Sequence, residues 1–88
     1  MSRFDINNLR IGIVGLGYVG LPLAVEFGKK YATVGFDIHE GRVAELMGGT
    51  DSTLECSSEE LAEAEHLTYT SSVDEIADCN FYIVTVPT

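Results

Sequence analysis

Ile11-Gly12-Ile13-Val14-Gly15-Leu16-Gly17-Tyr18-Val19-Gly20 runs from a short apolar stretch directly into a G-x-G-x-x-G pattern. Leu9 to Val14, closed by Gly15, has the composition of a strand buried on both faces of a parallel sheet. Beyond the glycines, Val19, Leu23 and Phe27 recur four apart with Ala24 beside them, which predicts a helix over Tyr18 to Lys30. Lys29 and Lys30 fall where cations favour a helix C-terminus. Pro22 constrains this helix: it has no N–H for the Tyr18 carbonyl, so the first turn is expected to be irregular or to start late.

The same strand signal returns at Ala32 to Phe36, ended by Asp37, and Val43, Leu46 and Met47 then sit at helical spacing before Gly48 and Gly49. Thr50 to Glu55 reads as a loop. Ser57 with Glu60 makes a capping box for a short acidic helix to about Glu65, Leu67 to Thr70 is a third strand, and Ser72 with Glu75 suggests a second capping box. Phe81 to Val86 is a fourth strand. Strands alternating with helices imply right-handed crossovers and a parallel sheet. The expected fold is α/β, a Rossmann-like sheet in spatial order 3-2-1-4 that stops after strand 4, and the chain reads as a partial domain.

In this setting the glycine pattern acquires a chemical meaning. Gly15 permits a tight turn, Gly17 lets backbone approach a pyrophosphate, and Gly20 lets the helix pack closely on the strand. The helix N-terminus then offers N–H groups and partial positive charge to phosphates, with Tyr18 and Val19 contributing their own N–H groups whatever their side chains do. Tyr18 fits equally well as a core aromatic. Asp37, 17 residues after Gly20, is placed to accept hydrogen bonds from both hydroxyls of an adenosine ribose, and its charge would repel a 2′-phosphate. NAD is therefore favoured over NADP. Asp37 and Glu40 also fit a helix-capping pair. Arg42, one turn into the second helix, either reaches back over the adenosine or sits in solvent, and spacing alone leaves both open.

Composition narrows the remaining possibilities. With 14 acidic and 5 basic residues among 88 and a net charge of −9, a non-specific grip on nucleic acid or an anionic membrane is excluded. An acidic protein can still hold a dinucleotide when the anion site is made of backbone. No apolar run has signal-peptide or membrane-span length, so a cytoplasmic location follows by default. Cys56 and Cys79 form no CxxC and read as free thiols, Cys79 near a strand end. His39 and His66 lack a partner at catalytic or metal spacing, so neither a metal site nor a catalytic group is assigned. Glu26 reads as solvated. An uncovered last strand predicts association into a homo-oligomer.

Taken together, I-G-I-V-G-L-G-Y-V-G-L-P-L-A at Ile11 to Ala24, G-F-D-I at Gly35 to Ile38 and I-V-T-V-P-T at Ile83 to Thr88 resemble the UDP-glucose/GDP-mannose dehydrogenase family. With D-S-T-L-E at Asp51 to Glu55, the pattern is most similar to bacterial UDP-N-acetylhexosamine (UDP-GlcNAc/UDP-GalNAc) 6-dehydrogenases, which supply uronic acids for surface polysaccharides. The resemblance covers nearly the whole chain. It implies NAD as cofactor, a UDP-sugar as substrate of an intact parent, and two-step oxidation of the sugar C6 alcohol through a cysteine that lies far downstream. Neither Cys56 nor Cys79 has that setting. Carried over by position, it implies cofactor contacts at Gly15, Gly17, Tyr18, Val19 and Gly20 with the phosphates, Asp37 and Arg42 with the adenosine, and Thr88 near the cofactor. A stand-alone NAD(H)-sensing module and a methyltransferase using the same loop for S-adenosylmethionine are the competing readings; binding of a pyrophosphate separates them, and the uncovered fourth strand favours a fragment of an enzyme over a complete module.

Overall fold

The computed structural model describes residues 9–85. Four parallel strands, β1 (Arg10–Val14), β2 (Ala32–Phe36), β3 (Leu67–Thr70) and β4 (Phe81–Val84), form one sheet in the order β3-β2-β1-β4. Between them lie α1 (Gly20–Gly28), α2 (Glu40–Met47), α3 (Ser58–Glu63) and α4 (Val73–Ile76). This is the predicted order, with every crossover carried by helix; the first two join neighbouring strands and the third, through α4, runs from β3 across the sheet to β4 beside β1. β4 ends at Val84, and Val86 to Thr88 lie outside the described residues.

Register explains how the two faces are filled. Ile11 and Ile13 of β1 pair with Thr33 and Gly35 of β2, and these with Leu67 and Tyr69 of β3, so one face is lined by this set. Leu21, Ala24 and Val25 of α1, Leu46 of α2, and Leu61 with Ala64 around α3 close over it as the larger core. On the opposite face Val14, Val34 and Phe36 meet Ile76 of α4 and Cys79 in a smaller cluster. Burying a side chain such as Ile13 or Leu21, both with no exposed surface, contributes about 1.5–3 kcal/mol. β4 is less covered: Phe81, Tyr82 and Val84 are exposed.

The helix ends depart from the sequence expectations in informative ways. α1 begins at Gly20 instead of Tyr18, so Pro22 is its third residue, where no N–H is needed. Lys29 sits just beyond its C-terminal end and pairs with Glu26 at 3.0 Å and Glu63 at 3.6 Å. The Ser57–Glu60 capping box forms in both directions, although α3 ends at Glu63, short of Glu65. Ser72 and Glu75 form no such box. The Ser72 N–H that the Glu75 side chain would need instead donates to Thr70 Oγ1 at 2.9 Å, a local turn that competes with the cap. Met47, expected on the buried stripe of α2, faces solvent, while Val43 and Leu46 are buried.

Candidate functional site

The end of β1 leads into a loop whose shape depends on two glycines. Gly15 has φ +101°, and a Cβ there would come within 2.5 Å of the Thr85 carbonyl oxygen, so both conformation and space require glycine. At Gly20 a Cβ would overlap the Gly15 carbonyl oxygen, and this contact sets how closely α1 starts against the loop. Gly17 is different: a Cβ there would meet nothing within 4 Å. Its absence leaves open space above the backbone, not room for a packed neighbour.

Loop anchoring comes from several directions. Gly15 N–H donates to the Phe36 carbonyl at 2.8 Å, tying the turn to the end of β2. Thr85, at the end of β4, donates its N–H to the Val14 carbonyl, and its hydroxyl lies 3.1 and 3.0 Å from the carbonyl oxygens of Val14 and Gly15. Thr85 was not a predicted site residue. Leu16 is buried, its N–H donating to Asp37 Oδ2 at 3.0 Å. Past it, Tyr18 and Val19 project outward, 74% and 60% exposed, which removes the reading of Tyr18 as a core aromatic. Among the described residues, the N–H groups of Gly17, Tyr18, Val19 and Gly20 donate to no protein acceptor. Four open donors at the start of a nine-residue helix form an anion-binding arrangement of backbone.

Asp37 stands at the tip of β2, its own N–H bonded to the Thr70 carbonyl. Besides Leu16 N–H, its carboxylate accepts the His39 N–H at 2.9 Å and lies 2.9 Å from the His39 ring Nδ1. His39 is thus not without a partner, as spacing had suggested, although its ring is exposed. The capping pair with Glu40 is not formed: α2 takes His39 as its N-cap, and the Asp37 side chain turns back to the glycine loop. Burial would raise the Asp37 pKa, but hydrogen bonds from the His39 and Leu16 N–H groups and the His39 ring outweigh it and hold the carboxyl below its usual value. A carboxylate offers about four acceptor positions. One remains open on Oδ2, and a second becomes available if the His39 ring swings away, so the expected double contact to a ribose requires that rotation.

Arg42 does not sit in solvent but turns back to the glycine loop. Its side chain is 12% exposed; Nε donates to the Leu16 carbonyl at 2.8 Å, and Nη1 to Glu45 at 3.0 Å and Asp51 Oδ1 at 2.7 Å. Nη2 is buried and has no hydrogen-bond partner among the described residues, as is the Tyr69 hydroxyl. Burial beside Cys56 pushes that hydroxyl's pKa up to about 12. Asp51 is the second residue that sequence reasoning passed over. Its fully buried carboxylate gathers the N–H groups of Thr53, Glu55 and Cys56, the Thr53 hydroxyl and Arg42. Burial alone would raise its pKa; the Thr53 hydroxyl, Arg42 and the backbone donors overcome this and hold it far below the usual carboxylate range. An Asp side chain that accepts the backbone N–H two residues on makes an Asx-turn, as Asp51 does with Thr53 at 3.0 Å, and an Asp within the loop segment Asp51-Ser52-Thr53 was a signal for one.

Both cysteines are buried free thiols, and burial pushes each above its ordinary pKa, the opposite of what a nucleophile needs. Among the described residues no group of His, Cys, Asp and Glu could hold a metal ion, and no helix is long and apolar enough to cross a membrane. Thr88 lies outside the described residues.

A parallel sheet in order 3-2-1-4, with a glycine turn and open N–H groups between β1 and α1 and an acid at the tip of β2, defines a Rossmann-type dinucleotide-binding domain. Residues 9–88 match the UDP-glucose/GDP-mannose dehydrogenase family, NAD binding domain, and the chain belongs to that family. It is 56% identical over 85 residues to the UDP-N-acetyl-D-glucosamine 6-dehydrogenase of Salmonella typhi, an alignment covering 97% of this chain and 20% of that protein. With the Pseudomonas aeruginosa enzyme of the same name it shares 58% over 83 residues, 94% of this chain and 20% of that one. Its fold resembles a UDP-glucose dehydrogenase from Pyrobaculum islandicum with TM-score 0.75 at 26% identity, over 98% of this chain and 21% of that one. The chain therefore spans about a fifth of the length of these relatives.

Proposed function

We propose that this chain is the cofactor-holding portion of an NAD-dependent UDP-N-acetylhexosamine 6-dehydrogenase, an enzyme that oxidises the C6 alcohol of a UDP-sugar to a carboxylate for surface polysaccharide synthesis. One observation carries the reading: the N–H groups of Gly17, Tyr18, Val19 and Gly20 stand open beside a carboxylate, Asp37, that is itself bonded to the loop. Gly15 makes the turn, Gly17 to Gly20 hold the pyrophosphate, and Asp37 accepts from the adenosine ribose. The family resemblance assigns Arg42 to the adenosine side of the site and Thr88 to the neighbourhood of the cofactor. The names of the relatives support the choice of UDP-sugar.

Bound NAD supplies the hydride acceptor. This chain's residues orient it, while sugar binding and the nucleophile belong to segments outside the 88 residues, since both thiols here are buried. The parent is a cytoplasmic enzyme and a homo-oligomer, and the exposed apolar side chains of β4 are consistent with a surface that other protein covers. Titration calorimetry on the chain tests the cofactor reading: ADP-ribose and NAD bind with similar, weak affinity, nicotinamide mononucleotide hardly binds, and NADP binds worse than NAD. Equal affinity for NAD and NADP removes Asp37 from the site, and absence of any binding refutes the reading altogether.

A further inference from the structure

The Leu16 carbonyl and the Gly17 N–H belong to one peptide plane. In a trans peptide the two point in opposite directions, and no cis peptide occurs among the described residues. Whatever grips the Leu16 oxygen therefore aims the Gly17 N–H. That grip is Arg42 Nε, at 2.8 Å. If α1 extended one turn further toward its N-terminus, Gly20 N–H would donate back to this same oxygen. Among the described residues it does not, and the first such bonds are from Leu21 to Gly17 and from Leu23 to Val19. Arg42 thus occupies the acceptor that such an extension would use, while Gly20 N–H stays open as the first N–H groups of a helix do.

Arg42 cannot hold this position by itself. Its guanidinium reaches across from α2, and the other end is fixed by Asp51, whose carboxylate has no exposed surface and is locked in turn by the backbone of residues 53–56. Glu45 completes the clamp at 3.0 Å and also accepts the Ser52 N–H. On the other side of Leu16, Asp37 holds its N–H. The two peptide planes flanking Leu16 are each gripped by a side chain from a different part of the fold.

We propose that Asp51 is a positioning residue of the phosphate site: by fixing Arg42 against the Leu16 carbonyl, it keeps the Gly17 N–H turned outward toward the pyrophosphate of a dinucleotide. The inference rests on the dinucleotide reading above and deepens it, giving Arg42 an action through the loop backbone in place of direct contact with adenosine.

The test compares the wild-type chain with Asp51→Asn, Arg42→Lys, the double variant and Ser57→Ala. The last weakens the neighbouring α3 cap, which touches neither Arg42 nor Asp51. Affinities for ADP, NAD and adenosine come from calorimetry or NMR titration, and the Gly17 amide resonance reports the loop directly. Asp51→Asn and Arg42→Lys should each weaken ADP and NAD about tenfold, shift the Gly17 amide and leave adenosine within about twofold. The double variant should fall no further than the worse single one, because the two residues act as one unit. Ser57→Ala should lose stability and keep its ADP affinity. If Asp51→Asn does not fold, Arg42→Lys decides the matter.

Equal losses for adenosine and ADP would make Arg42 a direct contact and overturn the proposal, as would unchanged ADP affinity in folded variants. Failure of the wild type to bind ADP or NAD would instead overturn the dinucleotide reading itself.

Discussion

Replacing Gly17 and Gly20 by alanine, one at a time, separates two uses of glycine in the same loop. At Gly17 the added methyl group enters open space, so folding is unchanged or gains up to about 1 kcal/mol from a less flexible unfolded chain. That open space is where a pyrophosphate would lie, and NAD affinity should fall at least tenfold, about 1.4 kcal/mol. At Gly20 the balance reverses. The new Cβ would overlap the Gly15 carbonyl oxygen and come within 2.8 Å of Thr85 Oγ1, so the first turn of α1 must move off the loop. Its buried Leu21, Ala24 and Val25 resist that movement, and overpacking of this kind costs about 1–3 kcal/mol. A domain of this size has roughly 4–13 kcal/mol in total, and each kcal/mol lowers Tm by about 4–8 °C. Thermal melts followed by circular dichroism should therefore show Gly17→Ala near wild type and Gly20→Ala lower by about 4–24 °C, with calorimetry giving NAD affinity for each. A Gly17→Ala chain that binds NAD as tightly as wild type would refute the close approach of phosphate to that residue. A Gly20→Ala chain with an unchanged Tm would refute the packing argument.

Asp37→Ala should lower NAD affinity roughly 10- to 100-fold through lost charge-assisted hydrogen bonds, while NADP affinity changes less, so that their ratio approaches one in paired titrations. Acid should destabilise the fold through Asp51 and Asp37. Both have lowered folded pKa values, so their stabilisation is complete above the ordinary carboxylate value of about 4 and is lost as pH falls below it. Urea unfolding at pH 7, 5 and 3 should show the loss between the last two, and Asp51→Asn should show a smaller one. Cys56 and Cys79, buried with raised pKa values, should resist iodoacetamide at pH 7.5 in the native chain and react fully in urea; rapid native labelling of either would contradict its burial.

Strand order and the glycine turn were legible because their signals are local and agree with one another: a β-branched run, a turn that needs glycine, then a helical period. The place of Asp37 at the tip of β2 was legible for the same reason. Arg42 was not, because its partners Leu16 and Asp51 are 26 and 9 residues away, and only the folded chain shows that the guanidinium turns inward. The second capping box failed because Thr70 Oγ1 and the Glu75 side chain compete for the Ser72 N–H, a contest that pattern alone does not score. Thr85 was quoted within a motif without a task, since its contacts lie 70 and 71 residues away in sequence.

That separation has a consequence for how the loop comes into being. Two clasps complete it, one from the end of β2 through the Gly15 N–H and one from the end of β4 through Thr85. Contacts between residues so far apart form late in folding, after the intervening chain has closed into place. On a ribosome the glycine turn emerges early, yet it lacks its second clasp until some 65 further residues have been made. A dinucleotide added during refolding should therefore leave the initial rate of sheet formation unchanged and act only on the final step, slowing the unfolding of the finished domain.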